Sequence, residues 1–343
     1  MHYRRFGHTG LFVSELCFGA MTFGGRGFWT AIGQLSAAEA QTLIGTALDG
    51  GVNLIDTADV YSEGESERLV GQALAALNRP RHEILVATKC RGKMGPGPND
   101  MGLTRHHILH SIDESLKRLK LDFVDLYQIH GLDPETPMEE TVKAMDEVVK
   151  SGKARYAGFC NLSAWQAMKA IAFATANGYH RFVSAQVYYS IAGRDIEREI
   201  VPLAQDQGLA ILPWSPLAGG LLSGKFDLES PGPAGARRTT FDFPPVDKTR
   251  AIGILKVMRE VAQECGATVP RVALAWLLTR PFVTSIILGA KTPEQLKDNL
   301  AATDLVLSPE QIVKLDAASA LPSEYPGWML ARQSQERVPK TAR

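Results

Sequence analysis

Short apolar runs alternate with amphipathic segments along most of the chain, and this alternation is the first guide to its fold. The runs are compact and apolar, as expected for parallel strands that helices cover on the outside. The predicted strands are Leu16–Ala20, Val52–Ile55, Ile84–Thr88, Leu126–His130, Tyr156–Phe159, Val183–Val187, Ala210–Trp214 and Val283–Leu288.

The segments between these runs carry signals for helix starts. Capping boxes, or a proline in the first helical turn, occur at Ser36, Thr136, Ser163, Thr292 and Ser308. Eight strands separated by helices favour a closed (β/α)8 TIM barrel over an open sheet. No GxGxxG motif follows the first strand, which also argues against an open dinucleotide-binding sheet.

The length of 343 residues suits one α/β barrel. We therefore expect a single domain over residues 1–343, with a core of about residues 3–320 and a C-terminal tail over 321–343. Turn signals at Gly7 and Gly10 predict an N-terminal β-hairpin that closes the bottom of the barrel. Residues 231–245 are rich in proline and glycine and predict a long irregular loop after the seventh strand.

Composition excludes several classes of function. Lys and Arg total 37 and Asp and Glu total 37, so charge gives no case for nucleic-acid binding. Four widely spaced cysteines are typical of free thiols in a reducing compartment. No apolar run is long enough for a signal peptide or a membrane span, so we expect a cytoplasmic protein. We expect no metal site, and interpret His106, His107 and His110 as a surface cluster on an outer helix.

Four polar side chains lie at or just beyond the C-terminal ends of predicted strands: Asp56, Tyr61, Lys89 and His130. Singly, each could be structural, but the strand ends of a barrel meet at the face where catalytic groups gather. A phenol has a pKa of about 10, and a nearby ammonium would lower that value. The buried lysine needs a carboxylate partner, for which Asp56 is better placed than Asp59. The group predicts a proton-donating site in which His130 orients or polarises a carbonyl oxygen.

Longer segments point to the same chemistry, namely Gly19–Gly24, Gly158–Asn161, Trp214–Leu217 and Gly289–Gln295. Together with the four strand-end residues, they make nearly the whole chain resemble the aldo-keto reductase superfamily. The resemblance implies a (β/α)8 enzyme that reduces an aldehyde or ketone to an alcohol with a nicotinamide cofactor. It assigns the proton donor to Tyr61 and the lowering of its pKa to Lys89. It makes Asp56 the partner of Lys89, and His130 the group that orients the carbonyl.

The resemblance also implies cofactor contacts. Asn161 and Gln186 would hold the nicotinamide carboxamide, and Trp214 would stack on the ring. The other expected contacts are Asp56, Ser215, Pro216, Leu217, Ala218, Gly219, Lys225, Gly289, Lys291, Gln295, Asp298 and Asn299. Lys291, beside open N–H groups at a helix start, favours NADPH over NADH. Many relatives have arginine where this chain has Gln295, so the expected preference is clear but not absolute.

Trp29, Tyr61 and His130 are the expected substrate contacts. An apolar or aromatic small-molecule carbonyl is favoured by the other residues expected at the mouth, Phe28, Met94, Leu132 and Tyr188. Arg237 and Arg238 either clamp the cofactor or are solvated loop residues. Both a monomer and a homo-oligomer remain open.

A second hypothesis is a regulatory subunit that binds a nicotinamide cofactor and reports redox state to a partner. The Trp214–Ala218 segment is similar to that of potassium-channel β subunits. Those proteins carry asparagine where this chain has His130, so the histidine favours an enzyme.

Overall fold

The computed structural model describes residues 1–226, Arg238 and residues 241–337. Its strands are β1 (Tyr3–Arg5), β2 (Phe12–Ser14), β3 (Leu16–Gly19), β4 (Leu54–Asp56), β5 (Leu85–Cys90), β6 (Val124–Ile129), β7 (Ala154–Cys160), β8 (Phe182–Tyr188), β9 (Ala210–Trp214) and β10 (Ile286–Leu288). Its helices are α1 (Ala37–Asp49), α2 (Glu65–Leu77), α3 (Arg105–Leu119), α4 (Met138–Lys150), α5 (Ala164–Ala176), α6 (Ile200–Gln207), α7 (Lys248–Cys265), α8 (Val269–Leu278), α9 (Pro293–Leu300), α10 (Pro309–Ala318) and α11 (Gly327–Arg337). Arg237 and most of the predicted loop over 231–245 lie outside the described residues.

Eight strands form a parallel barrel in the order β10–β3–β4–β5–β6–β7–β8–β9. The barrel closes where Val283, just before β10, bridges Ile211 of β9. The Thr284 amide also donates to the Ile211 carbonyl at 2.9 Å. The predicted (β/α)8 TIM barrel is therefore confirmed, and each predicted strand appears within a few residues of its expected bounds.

The barrel strands are apolar because most of them are covered on both faces. Every residue of β5 and β6 is buried, so neither strand needs a polar solvent-facing side. A small interior cluster, including Leu54, Leu85 and Leu126, fills the barrel. A much larger cluster lies between the strands and the surrounding helices. Polar side chains inside this barrel consequently need partners of their own, which makes them informative about the site.

The first two strands form the predicted N-terminal hairpin, with Tyr3 paired to Ser14 and Arg5 paired to Phe12. Phe6, which follows β1, is 2% exposed and belongs to the interior cluster. The His8 amide donates to the Gly208 carbonyl at 2.8 Å, which fixes the hairpin beneath β9. The hairpin therefore closes the bottom of the barrel, as predicted.

The helix starts follow the predicted capping signals closely. Ser36, Ser163 and Ser308 each form a capping box with the residue three positions later. Thr292 caps α9, where its hydroxyl accepts from the Gln295 amide. The cap predicted at Thr136 falls one residue later, at Pro137, and the Thr136 hydroxyl instead donates to Asp133.

The C-terminal segment carries α11, which is largely exposed. It is attached to the barrel through Arg198, whose guanidinium pairs with Glu324 at 2.5 Å. Within the described ranges, no helix combines the length and the apolar character that crossing a membrane requires.

The hairpin provides a test of barrel closure. Phe6→Ala removes a ring from the interior cluster and should lower the free energy of unfolding by about 3–5 kcal/mol. Phe12→Ala is the matched control on the same hairpin, since Phe12 is 59% exposed, and it should change stability by less than about 0.5 kcal/mol. Urea titrations of the two variants provide the comparison. Equal midpoints would show that the hairpin does not stabilise the barrel.

Candidate active site

The four predicted strand-end residues meet at one end of the barrel. Asp56 ends β4, Lys89 lies near the end of β5, and His130 directly follows β6. Tyr61 follows β4 by five residues and begins a short 3-10 turn. Because all the barrel strands are parallel, their C-terminal ends bring these side chains to the same face.

Lys89 is fully buried, and its ammonium has three partners. Its Nζ donates to Asp56 Oδ2 at 2.5 Å, to the Thr57 carbonyl at 2.8 Å and to Tyr61 Oη at 3.3 Å. An ammonium has three protons, so all of its donor capacity is used. The Asp59 amide donates to the Lys89 carbonyl at 3.2 Å, but the Asp59 carboxylate is engaged differently: its Oδ1 accepts from the Val60 amide at 2.6 Å. Asp56 is therefore the ion-pair partner of Lys89.

The second oxygen of Asp56 is held by two amides. Gln186 Nε2 donates to Asp56 Oδ1 at 2.9 Å, and Gln128 Nε2 donates to the same oxygen at 3.3 Å. Sequence reasoning missed Gln128, although an amide inside the apolar strand β6, two residues before His130, is a usable signal. Gln186, expected as a cofactor contact, is engaged with Asp56. The two amides fix the carboxylate that holds Lys89.

The pKa of Tyr61 is raised to about 12, chiefly because burial disfavours the phenolate. Lys89 acts in the opposite direction, as the sequence suggested, but burial outweighs it. Burial opposes the charge on Lys89 itself, yet Asp56 and Tyr61 outweigh burial and raise the pKa of the ammonium. Around neutral pH the site therefore holds a protonated phenol beside a charged ammonium.

His130 is uncharged at this site. Burial, with smaller contributions from Lys89 and Arg91, lowers its pKa to about 3. Its ring lies edge-on to Tyr61, with centroids 5.7 Å apart. A neutral imidazole has one N–H donor available, which suits it to bind a carbonyl oxygen without giving up a proton.

The turn that carries Tyr61 is locked to the loop after β3. Ser62 and Glu63 have left-handed backbone angles, with φ of 50° and 56°. The Ser62 hydroxyl donates to the Phe23 carbonyl at 2.7 Å and accepts from the Gly25 amide at 2.9 Å. The unusual backbone is thus supported on both sides, and it points Tyr61 back towards Lys89.

Asp56, Tyr61 and His130 line a pocket of about 810 Å³. Most of the expected cofactor residues line it, namely Asp56, Asn161, Gln186, Trp214, Ser215, Pro216, Leu217, Gly219, Lys225, Gly289, Lys291, Gln295 and Asn299. Of the expected mouth residues, Phe28 and Trp29 line it. Tyr188 lies behind Trp214, with ring centroids 5.2 Å apart.

Two expected cofactor residues do not line this pocket. Asp298 forms an ion pair with Arg271 at 2.7 Å, on the side of α9 that faces α8. Ala218 is fully buried, and its carbonyl accepts from Arg238 Nε at 2.8 Å. Arg238, one of the two candidate loop arginines, therefore supports the loop after β9 from behind.

The lining of the pocket suits an anionic molecule. Ser215, Ala218 and Gly219 have positive φ, so the loop after β9 folds into a tight cradle. A Cβ added to Gly219 would lie 2.3 Å from the Phe243 carbonyl oxygen, so only glycine fits there. Lys225 and Lys291 line the pocket, and Asp56 is the one carboxylate among the described lining residues. Amides and cations around one pocket fit a nicotinamide dinucleotide.

Comparison with known proteins identifies the family. A family model described as the aldo/keto reductase family matches residues 15–320. This chain belongs to that family, and it is an oxidoreductase. It is 34% identical to a versiconal hemiacetal acetate reductase of Aspergillus parasiticus, over 95% of this chain and 99% of that protein. It is also 33% identical to a putative aryl-alcohol dehydrogenase of Schizosaccharomyces pombe, over 90% of this chain and 93% of that protein.

The second resemblance is also confirmed. The chain is 37% identical to a probable voltage-gated potassium channel subunit beta of Oryza sativa subsp. japonica, over 92% of this chain and 96% of that protein. Aldo-keto reductases and channel subunits thus both occur among its relatives.

The predicted histidine cluster needs a correction. His106 and His110 are exposed, but His107 is buried and its Nε2 lies 3.2 Å from the Ser111 hydroxyl. The period of α3 turns His107 towards the core, between its two exposed neighbours. The described residues contain no group of three potential ligands suited to a metal ion.

The buried ion pair generates a stability prediction. Lys89→Met leaves the Asp56 carboxylate buried without its cation and should lower the free energy of unfolding by about 3–5 kcal/mol. A double variant, Lys89→Met with Asp56→Asn, should recover part of that loss. Lys153→Met, which removes an exposed partner of Asp113, is the control and should cost less than about 1 kcal/mol. Chemical unfolding measures all three, and a double variant no better than Lys89→Met would contradict the pair's role.

Proposed function

We propose that this protein reversibly reduces an aldehyde or ketone to an alcohol, with NADPH as the cofactor and Tyr61 as the proton donor. The observation that carries the proposal is the chain from Asp56 through Lys89 to the Tyr61 hydroxyl, at the floor of a pocket with neutral His130 beside it. We further propose that residues 1–343 act as a single domain, since loops after several barrel strands line one pocket.

The residues of this chain have separable roles in the reaction. When bound, the reduced nicotinamide supplies a hydride to the carbonyl carbon. The Tyr61 hydroxyl donates its proton to the carbonyl oxygen, and Lys89 stabilises the phenolate that remains. His130 donates a hydrogen bond to the same oxygen, where negative charge develops. Asp56 keeps Lys89 charged and in place throughout.

The remaining lining residues would hold the cofactor. Asn161 and Gln186 would contact the carboxamide, and Trp214 would cover the ring. Trp214 already donates from Nε1 to Asn161 Oδ1 at 2.9 Å, which orients both side chains. The loop from Ser215 to Gly219, with Gly289 and Asn299, would enclose the rest of the molecule.

The preference for NADPH rests on charge. Lys291 lies just before α9, and Lys291, Gln295 and Asn299 all line the pocket. The Gln295 side chain accepts from the Lys291 amide at 3.0 Å, so it holds the loop that presents this lysine. An additional phosphate is stabilised by a cation and by a helix N-terminus.

The proton donor is tested by Tyr61→Phe, which keeps the ring and removes the hydroxyl. The turnover number for aldehyde reduction should fall about 10²–10⁴-fold, while the Kd for NADPH, measured by fluorescence titration, should stay close to wild type. Tyr179→Phe, on the outer surface of the barrel, is the control. Wild-type turnover in Tyr61→Phe would exclude this residue as the donor. A wild-type protein that binds NADPH but reduces no aldehyde or ketone would favour the regulatory hypothesis.

Cofactor choice is tested at Lys291. Lys291→Ala should weaken NADPH binding about tenfold, as expected for a hydrogen bond to a charged group, and leave NADH binding nearly unchanged. Lys297→Ala on the exposed side of the same helix is the control. The difference between the cofactors should shrink as salt is raised. Equal losses for both cofactors, measured by titration calorimetry, would contradict the assignment.

A further inference from the structure

Aromatic side chains form a continuous series around the substrate end of the pocket. Trp29 lies against Tyr61 with ring centroids 5.0 Å apart, and Phe28 lies edge-on to Trp29 at 5.6 Å. Phe28 also lies edge-on to Phe241 at 5.2 Å. Phe241 in turn contacts Phe243 at 5.6 Å. The series thus runs from the proton donor outward to the loop after β9.

The series returns to its starting point on the other side of the pocket. Phe243 stacks on Trp214, with centroids 5.7 Å apart and planes 7° apart. Trp214 donates to Asn161, and Asn161 Nδ2 donates to the His130 carbonyl at 3.2 Å. The His130 ring then contacts Tyr61. We call this closed set of residues the aromatic perimeter: Tyr61, Trp29, Phe28, Phe241, Phe243, Trp214, Asn161 and His130.

Two loops from different parts of the barrel complete the aromatic perimeter. Phe28 and Trp29 belong to the loop after β3, whereas Phe241 and Phe243 belong to the loop after β9. Within the aromatic perimeter these two loops meet at Phe28 and Phe241. Phe28 is 62% exposed and Tyr61 is 8% exposed, so this contact lies at the outer rim.

The segment that carries Phe241 and Phe243 is firmly held. Arg238 is 8% exposed and donates to the carbonyls of Ala218 and Pro244. Its guanidinium also pairs with Asp242, which in turn pairs with Lys248 at 2.7 Å. These contacts hold the backbone around Phe241, so Phe241 is fixed where it meets Phe28.

No side chain of the aromatic perimeter carries charge around neutral pH, since His130 is neutral and the Tyr61 phenol is protonated. Asp56 is neutralised by Lys89. A charged substituent among these side chains would lose its hydration without gaining a partner of opposite charge from them. A flat aromatic substituent would instead meet aromatic faces and edges, which attract it beyond simple burial.

We propose that the Phe28–Phe241 contact determines substrate specificity. It closes the aromatic perimeter and makes the site favour flat, uncharged aromatic carbonyls over saturated ones of the same size. This inference rests on the proposed carbonyl reduction. The reaction itself balances as hydride to the carbonyl carbon and the Tyr61 proton to its oxygen. The C=O π bond is lost, the carbonyl compound is reduced and NADPH is oxidised to NADP⁺.

The test compares benzaldehyde with cyclohexanecarbaldehyde, which differ in flatness but little in size. The quantity is the ratio of their kcat/KM values in wild type, Phe28→Leu, Phe241→Leu and the double variant. Each single substitution should lower the ratio about two- to tenfold, as expected for loss of one aromatic contact. The double variant should lower it no further than the larger single effect, because both substitutions break the same contact. Trp165→Leu, at an exposed tryptophan on α5, is the control and should leave the ratio unchanged.

A binding measurement separates this proposal from the proposed function. The Kd values of benzamide and cyclohexanecarboxamide, measured with NADP⁺ present, report the same selectivity without turnover. If wild type reduces neither aldehyde but its preference for benzamide is lost in Phe28→Leu, the proposed function fails and the specificity role stands. If neither the kcat/KM ratio nor the Kd ratio changes in the variants, or if the two single effects add, the specificity role is overturned. The specificity role would also be overturned if the wild-type protein reduced 4-carboxybenzaldehyde as efficiently as benzaldehyde.

Discussion

The site depends on one buried interaction, the ion pair between Lys89 and Asp56 at the floor of the pocket. A buried ammonium is tolerated only when its charge and its donors are satisfied. Lys89 meets this requirement through Asp56, the Thr57 carbonyl and the Tyr61 hydroxyl. The same contacts that make the lysine tolerable fix the phenol beside it, so stability and the placement of the proposed proton donor have a common origin.

The barrel and the ion pair could be predicted from sequence because both follow from local patterns. Buried parallel strands read as short apolar runs, and a lysine at the end of one, Lys89, stands out against them. Gln128 carries the same kind of signal and was overlooked, because an isolated amide in a strand does not reveal its partner. Its role appears once β4 and β6 place it near Asp56.

The aromatic perimeter of the pocket could not be predicted, for a physical reason. Phe28 and Phe241 are more than 200 residues apart, and their contact depends on how two loops fold over the barrel end. No periodicity relates such positions. The net effect on the Tyr61 pKa was equally hidden, because sequence shows the neighbouring ammonium but not the degree of burial that outweighs it. Fold and family are thus readable from local signals, whereas specificity lies in contacts between distant loops.

The most direct test of the account replaces Tyr61 with a fluorinated tyrosine, which keeps the hydroxyl but lowers the pKa of the phenol. Reduction needs the protonated phenol, so its rate should fall as pH rises through that pKa, which is about 12 in the structure. The pH profile of the hydride-transfer rate should therefore gain a falling limb at lower pH than in wild type, displaced further with each added fluorine. A profile unchanged by fluorination would contradict the claim that Tyr61 donates the proton.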